Sequence, residues 1–481
     1  MGGFDAVFTH VRDTGVPTAT DIPLRSLMTD TQPRAAVVGG GIAGLTAALR
    51  LKQAGWQVVV LEAEDHAGGR VETIKDQGYI VDTGATAIAA RYPIFTALAE
   101  ELGCEIVSTA PYLGVVRDGR IHSLKLDDLV RSGLRTKLLS WPTKLRMTRL
   151  VAEIVTAKAR GRLDYDNLSK AAILDDETAQ SYVRRVAGAE ADQFFAEPVT
   201  RALLLANSDQ VSRVELMSGL INAVAGTLGT IIGGQADIIN RMVDRIGDVR
   251  TSSLVDQVVR TAAGVRISYR DATGAPRVEE FDAAVVATPL PVAARICPDH
   301  RARLDVFAGK LTFTQGINVA IGSTRAPSDP SFLVQLPRSE DRNIAMIIVE
   351  NRKAPDRAPA GHGLFTISWE MTAAAAWFNA TDDAITERSV QTLRRVFPDL
   401  GEIDYTYVRR WPIALPHTQQ GVYRAIGDFV AGIDESDRIQ FAGDYLSQTG
   451  QNTAVAWGER AAANLAMCRS HWMEPKTAFR S

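Results

Sequence analysis

Four glycines within six residues constrain this chain more than any other feature. Gly39, Gly40, Gly41 and Gly44 follow Ala35, Ala36, Val37 and Val38, a short apolar run suited to a buried parallel strand. Leu45 to Ala54 then has helical spacing, with Leu45, Leu49 and Leu51 on one face and Gly55 as the stop. Gln57 to Leu61, rich in valine, reads as the next strand. Glycines at the first, third and sixth positions of such a strand–turn–helix have separate tasks. Gly39 allows the tight turn, Gly41 lets a diphosphate approach the backbone, and Gly44 lets the helix pack closely on the strand. The helix N-terminus offers free N–H groups and a partial positive charge to phosphate. Glu62 ends the second strand, about 20 residues on, where a carboxylate holds ribose hydroxyls. The expectation is a dinucleotide cofactor.

Two later features select FAD. Gly68, Gly69 and Arg70 place an arginine where it can reach back to the diphosphate. Far downstream, Phe441-Ala442-Gly443-Asp444 ends a strand (Arg438 to Ala442), and a helix from Thr453 to Met467 opens shortly after. An extended cofactor needs such a second anchor. Asp444 can accept from ribitol hydroxyls, and the Thr453–Val455 helix start can face the flavin edge that gathers negative charge on reduction.

Composition excludes other classes. The net charge is −3, without the basic surplus that nucleic-acid binding favours. The three cysteines, Cys104, Cys297 and Cys468, are widely separated, and the seven histidines are scattered. This predicts no disulfide framework, no metal site and a cytoplasmic location. Met1 to Pro33 has no signal-peptide core and reads as a surface arm. Leu216 to Gln235 is uncharged and of spanning length, but its five glycines argue for a buried segment beside a substrate cavity.

The remaining pattern is mixed. Tyr92 to Gly103 reads as a helix, Leu126 to Leu228 as mainly helical, and Val249 to Val258 as one strand region. Phe281 to Ala287 reads as one buried strand, and helical spacing returns near 382–396. Arg131, Arg135, Lys137, Lys144, Arg146, Arg149, Lys158, Arg160 and Arg162 make one helical region basic. It reads either as a solvated face or as a peripheral contact with anionic lipid. The predicted class is α/β: a Rossmann-type FAD-binding domain (34–110, 230–300, 425–470) interleaved with an α+β substrate-binding domain (111–229, 301–424), with a tail at 471–481.

The chain resembles the flavin-containing amine oxidase superfamily, which includes monoamine and polyamine oxidases, protoporphyrinogen oxidases and phytoene-type desaturases. The resemblance rests on Val37–Arg70, Gly84–Ile88, Gly233–Met242, Val285–Pro291, Trp411–Gly421 and Phe441–Ala462, and runs from about residue 34 to 468. It implies cofactor contacts at Gly39, Gly41, Ile42, Ala43, Gly44, Glu62, Ala63, Gly69, Arg70, Gly84, Ala85, Thr86, Val255, Asp444 and Val455. There are departures. No cysteine lies between Cys297 and Cys468, which implies non-covalent FAD. Gly450 stands where amine oxidases carry an aromatic, and Arg295 where they carry a lysine. The segment Trp411–Gly421 looks more like the protoporphyrinogen oxidase and desaturase branches.

The resemblance therefore implies an oxidoreductase moving hydride from a C–H bond of a mainly apolar organic molecule to flavin N5, with His417 and Arg295 as candidate catalytic residues. Trp411 and Tyr445 are candidate walls of the site. With a single dinucleotide fingerprint, oxygen or a quinone-like molecule is the expected electron acceptor. Amine oxidation at a C–N bond, and a redox-neutral isomerase using reduced FAD, stay open as alternatives.

Overall fold

The computed structural model describes residues 32–89, 92–163, 168–223 and 228–473. The expected N-terminal arm and C-terminal tail fall almost wholly outside these residues, as does 224–227 of the glycine-rich segment. Among the described residues the fold is mixed α/β, organised on two large sheets.

The first sheet has five strands, all parallel, with β1 (Arg34–Val38) at its centre. Helix α1 (Ile42–Gln53) leads from β1 to β2 (Gln57–Leu61), which pairs with β1 from Arg34↔Gln57 to Val38↔Leu61. Beyond β2 lies Val249–Arg250; on the other side lie Ala283–Val286 and then Ile439–Phe441. Ala35–Val38 and Ala283–Val286 are buried throughout, as their unbroken apolar runs require.

The second sheet has seven strands and is mostly antiparallel. Its order is Ile403–Trp411, Gly316–Ser323, Gly363–Trp369, Ile344–Val349, Leu333–Gln335, Tyr112–Arg117 and Arg120–Lys125. Its core includes Val319, Ile321, Ile347, Phe365, Ile367 and Trp369. The helices between the sheets' segments include α2 (Leu129–Arg135), α3 (Trp141–Ala159), α4 (Arg213–Ala223) and α5 (Leu290–Ile296); α6 (Gln451–Met473) ends the described chain.

Three expectations need correction. Val249 to Val258 is not one strand: Ser252, at φ +50°, breaks it, sending Val249–Arg250 to the parallel sheet and Leu254–Arg260 to a separate three-stranded sheet. Phe281 to Ala287 is likewise divided, because Pro276–Phe281 is antiparallel to Val265–Arg270 while Ala283–Val286 joins β1. The last helix starts two residues early, at Gln451, and runs to Met473. The glycine-rich segment contributes buried Leu216, Met217 and Leu220 on α4, then a short strand, Gly229–Ile231. Among the described residues, no helix is long and apolar enough to cross a membrane.

A buried ion cluster ties the surroundings of the two sheets. Lys353, just past Ile344–Val349, donates to Asp82 Oδ2 at 2.8 Å and lies 2.7 Å from Glu350. Arg357 reaches the same Asp82 oxygen at 3.3 Å, while Thr73 and the Gln235 amide occupy Oδ1. All four ionic side chains are fully buried. Burial opposes ionisation of Asp82, but Lys353 and Arg357 outweigh it and hold the carboxyl below its ordinary range.

Candidate active site

The turn after β1 is built by close approach. Gly39 has φ +103°, and a Cβ there would stand 2.9 Å from the Ala287 carbonyl oxygen. A Cβ on Gly44 would lie 2.0 Å from the Gly39 carbonyl oxygen, so the first turn of α1 rests directly on the loop that starts it. Gly41 differs. It caps α1 with ordinary backbone angles, and its hypothetical Cβ would meet only Gly68 O at 3.9 Å. No side chain caps α1, and its first turn carries no acid. Ile42, Ala43 and Gly44 are nevertheless buried. Helix N–H groups buried without a protein cap fit an anionic ligand.

Glu62 supports this turn. Its Oε2 accepts from the Gly40 amide at 2.6 Å and its Oε1 from the Glu64 amide at 2.9 Å. Each carboxylate oxygen keeps a further lone pair, so hydroxyl acceptance remains open to it. Ala63, beside it, is exposed. Ser253 N–H donates to the Glu62 carbonyl at 2.6 Å, which brings the start of Leu254–Arg260, and with it buried Val255, to the end of β2.

Arg70 and Asp444, 374 residues apart, meet. The guanidinium donates to both Asp444 oxygens, at 2.9 and 3.0 Å, and to the Ala414 carbonyl at 2.9 Å. This two-pronged geometry fixes direction as well as distance. Gly84 and Ala85 join the same place. Ala85 N–H donates to Arg70 O at 2.9 Å, and a Cβ on Gly84 would fall 2.2 Å from that oxygen and 3.2 Å from the Trp411 ring. Trp411 and Asn318 both donate to Thr83 O, leaving Asn318 Oδ1 buried without a protein partner. The Thr86 carbonyl accepts from Gln235 at 3.3 Å.

The segment after Asp444 carries more such atoms. Tyr445 OH, Thr449 Oγ1 and Gln451 Oε1 are buried with no protein partner, and Thr288 Oγ1, beside the Gly39 contact, is another. Gly450 sits at φ +149°. Val455 is fully buried in α6, and α6 crosses α1 so closely that a Cβ on Gly458 would lie 2.4 Å from Ala43 O.

The two expected catalytic residues fare differently. His417 is half-buried, with Nε2 2.8 Å from the Gln210 carbonyl. A carbonyl can only accept, so Nε2 carries the proton, and burial holds the ring's pKa below its ordinary value. Arg295 is exposed on α5, while its neighbours Ala293, Ala294 and Ile296 take the buried face.

Sequence reading missed Glu215. This fully buried carboxyl accepts from Tyr423 OH and, at 3.2 Å, from Gln448 Nε2. Burial pushes its pKa up, against the pull of these hydrogen bonds. No spacing or motif marks it, since its partners lie more than 200 residues away.

The sequence profile of flavin-containing amine oxidoreductases matches residues 42–466. A coproporphyrinogen III oxidase of Mycobacterium tuberculosis is 25% identical over 448 residues, covering 89% of this chain and 96% of that protein. Among solved structures, cyclohexylamine oxidase from Brevibacterium oxydans superposes with a TM-score of 0.68 at 19% identity, covering 91% of this chain and 99% of that one. A fatty acid isomerase from P. acnes gives 0.68 at 17%, covering 89% and 97%. The glycine turn, the buried uncapped helix start and the profile match across most of the chain agree: this protein belongs to the flavin-containing amine oxidoreductase family and is a flavin-dependent oxidoreductase.

Proposed function

We propose that the chain binds FAD without a covalent link and dehydrogenates a mainly apolar organic substrate, in the manner of porphyrinogen oxidases and desaturases. The observation that carries the cofactor reading is the Arg70–Asp444 pair, which joins the loop beside the uncapped start of α1 to the start of the last segment. In this reading Gly39, Gly41, Ile42, Ala43, Gly44, Gly69 and Arg70 surround the diphosphate. Glu62, Ala63 and Val255 hold the adenosine end; Gly84, Ala85, Thr86, Asp444 and Val455 hold the ribitol and ring. The parallel sheet is then a Rossmann-type FAD domain, drawn from 34–110, 230–300 and 425–470. The seven-stranded sheet belongs to a substrate domain drawn from 111–229 and 301–424.

When bound, the flavin supplies a hydride acceptor at N5; the protein orients the substrate and excludes water. His417, neutral and anchored through Nε2, has only Nδ1 left to offer a ligand. Buried Cys297 has its thiol pushed up to about 12, a poor nucleophile for a covalent flavin link. Gly450 provides no aromatic wall for a small amine, which favours a larger, flatter substrate. Oxygen or a quinone-like molecule would be the electron acceptor. Free Cys104 and Cys297 suit a reducing cytoplasm.

Anaerobic bleaching of the flavin band against a panel of porphyrinogens, polyenes and amines tests this. Bleaching by an apolar ring or polyene substrate, and not by amines, is expected. Bleaching and peroxide release with amines alone would replace the reading with C–N oxidation. Turnover only after prior flavin reduction, with no net use of acceptor, would replace it with isomerisation. Asp444→Ala is expected to lower flavin retention at least tenfold, and full retention would sink the cofactor assignment.

A further inference from the structure

Helices α2 and α3 turn apolar side chains to the outside. Trp141 is 68% exposed, Leu145 72%, Val151 55% and Val155 60%; on α2, Val130 is 78% and Leu134 51% exposed. With 3.6 residues per turn, Trp141, Leu145, Val151 and Val155 fall within an arc of about 120° on α3. The buried residues Thr143, Leu150, Ile154 and Ala157 occupy an arc of about 60° on the opposite side. This helix therefore has two apolar faces, and among the described residues only one of them is packed against the protein.

The two helices are fastened together. Lys144 Nζ donates to the carbonyls of Leu134 and Thr136, at 2.8 and 2.6 Å, and lies 4.8 Å from the centre of the Trp141 ring. Glu190 accepts from Thr143 and from the Ser140 amide, holding the start of α3 in place. The outward stripe is thus presented by a rigid pair of helices.

Its charge identifies the occupant. Between Leu129 and Arg162 the chain carries nine cations and one acid, Glu153, although the whole protein is net −3. Arg149, which pairs with Glu153 at 3.2 Å, borders the stripe on one side and Lys158 on the other. A solvated face would not carry large apolar side chains, and a self-associating face would set the cations of one copy against those of the other. Apolar side chains ringed by lysine and arginine, with an amphipathic tryptophan at the helix start, match the headgroup region of an anionic bilayer.

We propose that α2 and α3 form a docking surface for an anionic lipid bilayer, inserting Trp141, Leu145, Val151 and Val155 between headgroups that neutralise the flanking cations. This inference stands independently of the substrate reading. It would give an apolar substrate dissolved in the bilayer a short path to the enzyme.

The test is co-sedimentation of the flavin-loaded full-length chain with vesicles. Binding to phosphatidylglycerol–phosphatidylcholine vesicles should exceed binding to pure phosphatidylcholine at least tenfold. It should weaken by a similar factor in about 1 M salt, where the Debye length is about 3 Å. Leu145→Asp and Val155→Asp should each lower the partition about tenfold with flavin content and melting unchanged. Val306→Asp, at a position 72% exposed on Arg301–Ala308, should leave it unaltered. Trp141→Phe should retain binding but lose a vesicle-induced blue shift of tryptophan emission. Absence of sedimentation with anionic vesicles would overturn the proposal. So would an equal loss in Val306→Asp, or a concentration-dependent dimer that Leu145→Asp dissociates, which would make a second copy the occupant.

Discussion

The turn after β1 and the ion cluster at Asp82 hold their surroundings by opposite means. The turn is made of glycine backbones at van der Waals limits, and one neighbouring carboxylate completes it. The cluster is made of long side chains, Lys353, Arg357 and Glu350, converging from one part of the chain on Asp82 in another. The turn is local, so its geometry is set by what is missing from four residues. The cluster is non-local, so its stability depends on every member being in place. A charge buried in company is tolerable, while the same charge left alone is not.

The largest expected effect comes from breaking the cluster. Lys353→Met removes the cation that Asp82 and Glu350 share, leaving buried Glu350 with the Thr366 hydroxyl but without its positive charge, so it should cost about 3–5 kcal/mol, read from urea unfolding. A loss below about 1 kcal/mol would mean that the cluster is dispensable. Next is the turn. Gly44→Ala drives a methyl into the Gly39 carbonyl, with an expected cost of about 1–3 kcal/mol and loss of most of the bound flavin. Gly41→Ala sharpens the contrast, because its methyl meets no protein atom closer than 3.9 Å. Stability should stay within about 0.5 kcal/mol of the parent. Flavin retention on gel filtration should nevertheless fall at least tenfold. Equal retention would show that the diphosphate does not pass over Gly41.

The smallest effect concerns Glu215. Its folded pKa is raised, so its contribution is fully present below the ordinary carboxyl range and is lost as pH rises through the folded value. As pH rises above the ordinary carboxyl range, the parent should therefore lose melting temperature more steeply than Glu215→Gln, by about 1–3 °C. Parallel profiles would show that the carboxyl does not titrate in this interval.

The contrast between turn and cluster also explains what could be read from the sequence. The strand, glycine turn, helix and second strand around Gly39–Gly44, with Glu62 directly after them, were legible because spacing within one local unit fixes placement. The split of Val249–Val258 was not legible. The apolar pattern runs through Ser252, and only the pairing partners on either side differ. The outward placement of Arg295 was not legible, because a position in the sequence carries no facing direction; Ala293, Ala294 and Ile296 took the inner face of α5. Glu215 carried no signal at all, because a lone acid in a helical stretch reads as surface until Tyr423 and Gln448 arrive from elsewhere.

By itself the sequence determined the glycine turn after β1, the carboxylate beside it and the charge bias of α2 and α3, since each depends on residues within a few turns of one another. Only the tertiary structure decided that Arg70 grips Asp444, that Asp82 is shared by Lys353 and Arg357, and which face of α3 stays outside. Those outcomes turn on which distant segments pack together, and burial, not spacing, sets the energy of each contact.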